Sequence, residues 1–333
     1  MSVLTNNQLT ISEQIKQFGP SGEIMDIVNV LVEENELLLE GIFLEANEMF
    51  SNLAVKTLSL PDIDTRRIND GSGGGVTKST RQREVVQIFE SLIDIDELLL
   101  KSVPAGGKEK ARWNQVLGFV ESFAQAQADA LIYGSNATDP DEIDGLTTRY
   151  NDTSLANVHD VGGSGDDTTS LWLLQWDRNR LHMIYPRATE NCGLYQHDEG
   201  RVRVTNSDSG KAYYAYETLL RMGFGWNIVD GGNKYCAQRL VNIESSAATG
   251  DDRLFSTGKI NLLISAVNKL PKKGKGAVIY CNGDLKTQFD IYAKDHLGGV
   301  LWSKDAFGQP VSMYQGRIPI RIVDAISSEE TEI

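Results

Sequence analysis

Cysteine is scarce in this chain: Cys192, Cys236 and Cys281 lie far apart, with no Cys-x-x-Cys pair. An odd and scattered set of this kind excludes a disulfide framework and a cysteine zinc site. It suits small buried hydrophobes in a reducing compartment. Histidine is almost as rare, and His159, His182, His197 and His296 show neither His-Glu-x-x-His nor any other ligand spacing. No Gly-x-Ser-x-Gly elbow occurs, so no motif assembles a nucleophile, a base and an oxyanion site. No run approaches the ~20 apolar residues of a membrane span. The opening MSVLTNNQLTISEQ lacks the basic start and apolar stretch of a signal peptide. The expectation is a soluble protein that folds where it is made, with no membrane partner. Positive charge is also in deficit: 32 basic residues face 46 acidic ones, a net charge of −14. A nucleic-acid grip needs a basic face that releases counterions from phosphates. The overall field here repels DNA, and only a local basic patch overrides that.

What the chain does have is the composition of a globular protein. Its 333 residues are 41% hydrophobic and 23% charged, close to globular averages. Folding a chain of this length buries roughly three quarters of its unfolded surface, enough for a sizeable core. About two domains, or one with insertions, are expected. Residues 1–22 read as a polar arm that needs a partner to become ordered. From Glu23 to Glu40 the apolar residues Ile24, Ile27, Val28, Leu31, Val32 and Leu38 recur at helical spacing, between Glu23, Asp26, Glu33, Glu34, Glu36 and Glu40. This predicts an amphipathic helix with an acidic outer face.

Val55 to Phe89 reads as a two-stranded excursion around Gly71, Gly73, Gly74 and Gly75, and it holds Arg66, Arg67, Lys78, Arg81 and Arg83. A hairpin with few large apolar residues near its tip cannot bury itself. It is either a mobile loop or an arm lying on another molecule. After a second apolar, acidic stretch at 86–100, a helix is predicted from Lys108 to Tyr133, about 40 Å long at 1.5 Å per residue. Trp113, Val116, Leu117, Val120, Ala124 and Leu131 are expected on its core face, and Gly134 is the stop. Beyond Gly145 the texture is β-rich. Hairpins are expected for Leu171–Trp176 with Leu181–Tyr185 and for Arg201–Thr205 with Tyr213–Leu219. Further strands are expected at Phe224–Val229, Tyr235–Ile243, Ala277–Cys281 and Ile318–Val323, with helices at Lys259–Leu270 and Gly283–Ala293. The class is α+β, without a repeat of fixed period.

Three sites are tempting and fail. The glycines at 71–75 lack the Gly-Lys-Ser/Thr ending of a phosphate loop, and Ser209-Gly210-Lys211 lacks the upstream glycine. Asp139, Asp141, Asp144 and Gly145 resemble a calcium loop, but Ile143 takes the fifth position and the glycine falls one place late. A turn is expected there, and another at Gly165-Asp166-Asp167. No cofactor or metal is implied.

Four stretches in order carry a resemblance: LPDIDTRRINDG (60–71), ADALIYGSNATDPDEIDGLTTRYN (128–151), TSLWLLQWDRNRLHMIYP with CGLYQHDEG (169–186 and 192–200), and KINLLISAVNKLP, AVIYCNGDLKTQFDIYA and GRIPIRIVDAI toward the end. Together they are similar to the major capsid proteins of short-tailed bacteriophages with the Hong Kong 97-like fold. The resemblance implies an α+β subunit with an N-terminal arm, an extended loop (E-loop), a peripheral domain on a long spine helix, and an axial domain of mixed sheet and helices. The implied boundaries are 1–50 for the arm and its helix, 51–90 for the E-loop and 91–155 for the peripheral domain with the spine helix at 108–133. The axial domain takes 156–315, its strands returning to the peripheral domain, and a final strand with an acidic tail takes 316–333. It further implies a non-enzymatic protein that self-assembles into hexamers and pentamers of a virion shell in the host cytoplasm. The shell would enclose double-stranded DNA without reading its sequence. Scaffolding and portal proteins are implied partners, and the resemblance leaves room for a decoration protein.

On this reading the two reaching segments carry opposite charge, which supplies orientation and partner choice. The basic Arg66, Arg67, Lys78, Arg81 and Arg83 would lie against acidic surface of the next subunit, with Glu33, Glu34 and Glu36 as candidates. Beside this stands the plainer reading that these charges pair within one chain or face water. Two other functions compete: an encapsulin-like compartment shell, and an α+β enzyme or carbohydrate-binding protein using Trp172, Trp176, Tyr185 and Trp226 as stacking aromatics.

Overall fold

The computed structural model describes residues 33, 35–71, 73–103, 107–189, 193–206, 210–231, 234–245, 254, 258–295, 300–304, 310–315 and 317–333. The expected arm at 1–22, most of the helix after it, Glu34, Cys192 and the His296 side chain lie outside them. The chain opens with α1 (Glu36–Glu40) and β1 (Phe43–Glu45), then the hairpin of β2 (Ser51–Ser59) and β3 (Lys78–Val85). Next come β4 (Gln87–Asp96), α2 (Glu97–Ser102), the long helix α3 (Lys108–Tyr133) and the single turn α4 (Leu146–Arg149). Strands β5 (Val158–Asp160), β6 (Thr168–Gln175), β7 (Leu181–Tyr185), β8 (Leu194–Thr205), β9 (Ala212–Ile228) and β10 (Ala237–Glu244) follow. The chain then runs through α5 (Ile260–Lys269), β11 (Ala277–Cys281), α6 (Gly283–Asp295), β12 (Val300–Lys304), β13 (Pro310–Tyr314) and β14 (Ile318–Ile322). Mixed sheets with helices make this an α+β protein.

Two compact units share the described residues: one holds 88–126 and 189–223, the other 33–87, 127–188 and 224–333. In the first unit β8 and β9 pair antiparallel from Leu194 opposite Met222 to Thr205 opposite Ala212. The register slips between Asp198 and Gly200, where Gly200 adopts a φ of +74° that side chains rarely tolerate. Alternation along β4 turns Ile93 and Ile95 into a core with Val116, Phe123 and Leu220, and Phe89 meets Phe123 edge-on at 6.3 Å. Asp96 starts α2 by accepting a hydrogen bond from the Leu98 amide at 2.7 Å.

Helix α3 occupies the expected span, and Val116 and Leu131 of its expected core face are buried, but the rest of the buried face differs. Ala111, Val116 and Phe123 are buried, whereas Trp113, Leu117 and Val120 are about half exposed. The helix carries two apolar stripes, and periodicity alone does not tell which one meets the core. It ends at Gly134 for a reason other than left-handed backbone. A side chain there would come within 2.5 Å of the Ala130 carbonyl and 2.6 Å of the Ile143 carbonyl, so only glycine lets the following turn fold back.

The second unit is built on a seven-stranded mixed sheet in the order β12-β13-β14-β11-β6-β10-β5. At its centre every residue of β6 and β11 is buried, because both faces of those strands are covered. Leu171, Leu173, Leu240 and Ile279 pack with Leu263, Ala266 and Val267 of α5 and with Leu285 and Phe289 of α6. The expected hairpin of 171–176 with 181–185 does not form. Strand β6 pairs with β10 and β11, while β7 pairs with β1 and the end of β9. The connecting turn, held by Asp177 accepting from the Asn179 amide at 2.8 Å, therefore redirects the chain between sheets. Asp139 also organises a turn, accepting from the Asp141 amide at 3.0 Å. Among the described residues, no helix is long and apolar enough to cross a membrane.

Candidate assembly surfaces

The long excursion is a real antiparallel ladder, from Ser51 opposite Val85 to Ser59 opposite Lys78. Its base is tied to the second unit by polar contacts. Asn52 donates to the Asn227 side chain at 2.9 Å, and Gln82 donates to the Ile228 carbonyl at 2.9 Å. Glu84 receives two hydrogen bonds from Arg149, at 2.9 and 2.6 Å. A bidentate pair of this kind fixes direction as well as distance. Gly225 lets β9 pass so close that a side chain there would sit 2.5 Å from the Val85 carbonyl.

Toward the tip the support vanishes. Leu60, Ile63, Ile68 and Val76 are 79%, 92%, 94% and 78% exposed. The loop is organised by its own polar groups: Asp64 accepts from the Gly73 amide at 3.0 Å, and Arg66 donates to the Asp70 carbonyl at 2.8 Å.

The predicted contact residues separate into groups. Arg66, Arg67, Lys78 and Arg81 are exposed along the loop and β3. Arg83 instead forms an ion pair with Glu48 of the same chain at 3.2 Å. Glu36 accepts from the Ile322 amide at 3.0 Å and lies 3.9 Å from Arg321, so it tethers α1 to β14. Glu33 accepts from the Asn35 side chain at 3.2 Å. The structure therefore brings the basic residues together on one excursion but binds Glu36 within its own fold.

Sequence reasoning missed the groups that pin the chain end. Arg239, 1% exposed, donates to the Ser170 hydroxyl at 3.1 Å, the Tyr150 carbonyl at 2.8 Å and the Glu330 carboxylate at 3.2 Å. Its guanidinium also stacks over Trp172. Tyr133 donates to Glu330 at 2.6 Å and accepts from the Ser327 amide at 2.8 Å. Burial first, and the Glu330 charge second, push the Tyr133 hydroxyl well above its ordinary value. The residues at 324–333, read as an acidic tail, are thus built into the body. A lone arginine 91 positions from its carboxylate gives no sequence signal for this. Nor are the tryptophans stacking platforms: Trp172 and Trp226 are fully buried, and Trp176 stacks on Trp226 at 5.9 Å, while Tyr185 is half-buried. Among the described residues, no group of three or more His, Cys, Asp or Glu is placed to hold a metal ion.

The mixed sheets, the long helix and the two-stranded arm together define an α+β protein of the Hong Kong 97-like capsid fold. The solved structures agree: the chain is similar to one from bacteriophage Epsilon15 over 100% of this chain and 99% of that one, at 22% identity and a TM-score of 0.72. More remote likenesses are the holo-SrpI encapsulin of Synechococcus elongatus (8% identity, 66% and 91% covered, TM-score 0.47) and a structure from Mycobacterium phage Adephagia (10%, 70% and 97%, 0.44). No curated protein sequence matches the chain. The model of the family described as major capsid protein GP7 matches residues 19–333, and the chain belongs to that family. It is a major capsid protein of a tailed phage, a structural protein of the virion that assembles from many copies of itself.

Proposed function

We propose that this subunit forms hexamers and pentamers of an icosahedral shell, assembled in the host cytoplasm around a double-stranded DNA genome, and that it has no catalytic role. The N-terminal arm at 1–50 and the E-loop at 51–90 are the segments that reach neighbours. The long helix belongs to the peripheral domain at 91–155, most strands of the mixed sheet to the axial domain at 156–315, and residues 316–333 supply the final strand and the acidic tail. Scaffolding and portal proteins would assist, and the reading leaves room for a decoration protein. The observation that carries the reading is the loop at 60–77, whose Ile63 and Ile68 are more than nine-tenths exposed in the isolated chain. In this reading a neighbouring subunit covers them, and Arg66, Arg67, Lys78 and Arg81 select its acidic surface. Glu33 and Glu34 remain candidates for that surface, while Glu36 and Arg83 contribute less because their own chain already engages them. Membership in the capsid family favours a genome container over an encapsulin-like compartment. Oxidative footprinting tests this. Ile63 and Ile68 should be strongly protected in assembled particles and reactive in dissociated subunits. Equal reactivity in both states would contradict the loop's role.

A further inference from the structure

Against the acidic average of the chain, one surface of the second unit is basic, and four separate segments build it. The turn after β6 contributes Arg178 and Arg180, the β9–β10 connection Lys234, the end of α5 Lys269, and the short 3₁₀ turn after it Lys272 and Lys275. Their proximity is fixed by contacts. Arg180 donates to the Lys234 carbonyl at 3.0 Å, and the Lys234 ammonium to the Asn268 carbonyl at 2.7 Å. Lys272 pairs with Asp177 at 3.5 Å, and Gln175 holds the Lys275 carbonyl at 2.7 Å. Lys56 of the hairpin joins the margin, 3.4 Å from the Asp230 carbonyl.

Among the described residues, two carboxyl groups meet this surface. Asp177 is shared with Lys272. Asp230 is turned inward, where it accepts from Tyr150 at 2.9 Å and from the Cys236 amide at 2.7 Å. Burial raises the pKa of Asp230 above the ordinary carboxylate value. Part of the cluster has a local duty, since Lys234 and Lys269 complement the C-terminal end of α5. That explanation does not reach Arg178, Lys272 and Lys275, which are exposed, Lys272 by 72% of its side chain.

We infer that this surface contacts the phosphate backbone of double-stranded DNA without reading its sequence. The inference deepens the genome-enclosing role proposed above and rests on it. The residue type separates DNA from a protein partner. Protein interfaces favour arginine and are depleted in lysine, and the hairpin, with exposed Arg66, Arg67 and Arg81 against the single exposed lysine, Lys78, leans toward that rule. The basic surface is mainly lysine, a mobile point charge that suits phosphates at no fixed register. A lysine surface on a chain of net charge −14 also gives weak, salt-sensitive contact that holds DNA without trapping it.

The test uses the full chain as soluble subunits and short double-stranded DNA of mixed sequence, with binding followed by anisotropy across a salt series. The triple variant Arg178→Gln, Lys272→Gln, Lys275→Gln should reduce the slope of log K against log salt by about 2 to 3, since each neutralised phosphate contributes roughly 0.9. Neutralising Arg66, Arg67 and Arg81 should leave that slope unchanged. An unchanged slope in the triple variant, or no DNA binding by the parent at low salt, overturns the inference. Unchanged DNA binding with lost assembly in the triple variant also overturns it and assigns the surface to a second copy of the chain. If the parent forms no shells while the slope still falls in the variant, the container reading fails and the phosphate contact stands.

Discussion

Glu84 on β3 and Arg149 at the end of α4 hold each other through parallel hydrogen bonds of 2.9 and 2.6 Å. The Glu84 side chain is 7% exposed and the Arg149 side chain 20%. Gln82 reinforces the site by donating to Glu84 at 2.6 Å. The pair anchors the root of the hairpin, so the loop beyond it leaves the body in one direction. Replacing Glu84 with alanine leaves a largely buried guanidinium uncompensated. The expected cost is about 3 kcal/mol, measurable as a lower midpoint in chemical denaturation of the isolated subunit. A change within about 0.5 kcal/mol, the range of ordinary surface substitutions, would show that the pair contributes nothing to the anchor.

Arg66 and Arg67 lie at the other end of the same hairpin, exposed to water. Their joint reversal, Arg66→Glu with Arg67→Glu, should block or strongly impair assembly. The far-ultraviolet circular dichroism and melting midpoint of the subunit should stay at the parent's values, because neither side chain supports the core. Normal shells from this variant would contradict the role assigned to the loop's charge.

Asp94 and Glu217 in the first unit share a hydrogen bond. Burial is the main cause raising the pKa of each above the ordinary 3.8 and 4.5; the Asp94 charge raises Glu217 further, while the hydrogen bond from Glu217 partly offsets the rise at Asp94. A carboxyl with a raised folded-state pKa favours the folded state while protonated. Its contribution is complete below the ordinary values and is lost as pH rises through the raised ones. The unit should therefore lose stability as pH rises above the ordinary carboxylate range on this account. Glu217→Gln removes one charge while keeping the hydrogen bond, so its melting midpoint at neutral pH should exceed the parent's, and the difference should shrink in acid. Parallel pH profiles would exclude the coupling.

Gly134 offers a packing test. Alanine there must displace two backbone carbonyls, those of Ala130 and Ile143. A cost of about 1 to 3 kcal/mol is expected, read from the thermal midpoint. Gly118, on the exposed side of the same helix with open space around it, is the control. Alanine at 118 should stabilise the helix by up to about 1 kcal/mol.

Much of the local structure was legible in the residues themselves. The span of α3, the strand Ala277–Cys281 and the hairpin bracketing the glycines at 71–75 follow from periodicity and turn residues. Periodicity misled where a segment is apolar on more than one side. Trp113, Leu117 and Val120 share a stripe with the buried Val116 yet are about half exposed, because the buried face lies toward Ala111 and Phe123. It also failed at β6, where eight consecutive buried residues carry no alternation to reveal the partner. For the candidate surfaces, the cluster of arginines on the hairpin was visible in order along the chain. The exposure of Ile63 and Ile68 was not, since apolar residues in a loop look the same whether covered or bare. The Arg239–Glu330 lock and the lysine surface were invisible for a plainer reason. Both are assembled from residues far apart in sequence, which only the completed sheet brings together.

The central claim is that this chain builds a shell, and negative-stain electron microscopy of the purified protein, expressed alone and with its neighbouring genes, tests it most directly. Closed particles, or free hexamers and pentamers that convert to them, are the predicted result. A uniform monomer or dimer under both conditions would contradict the account.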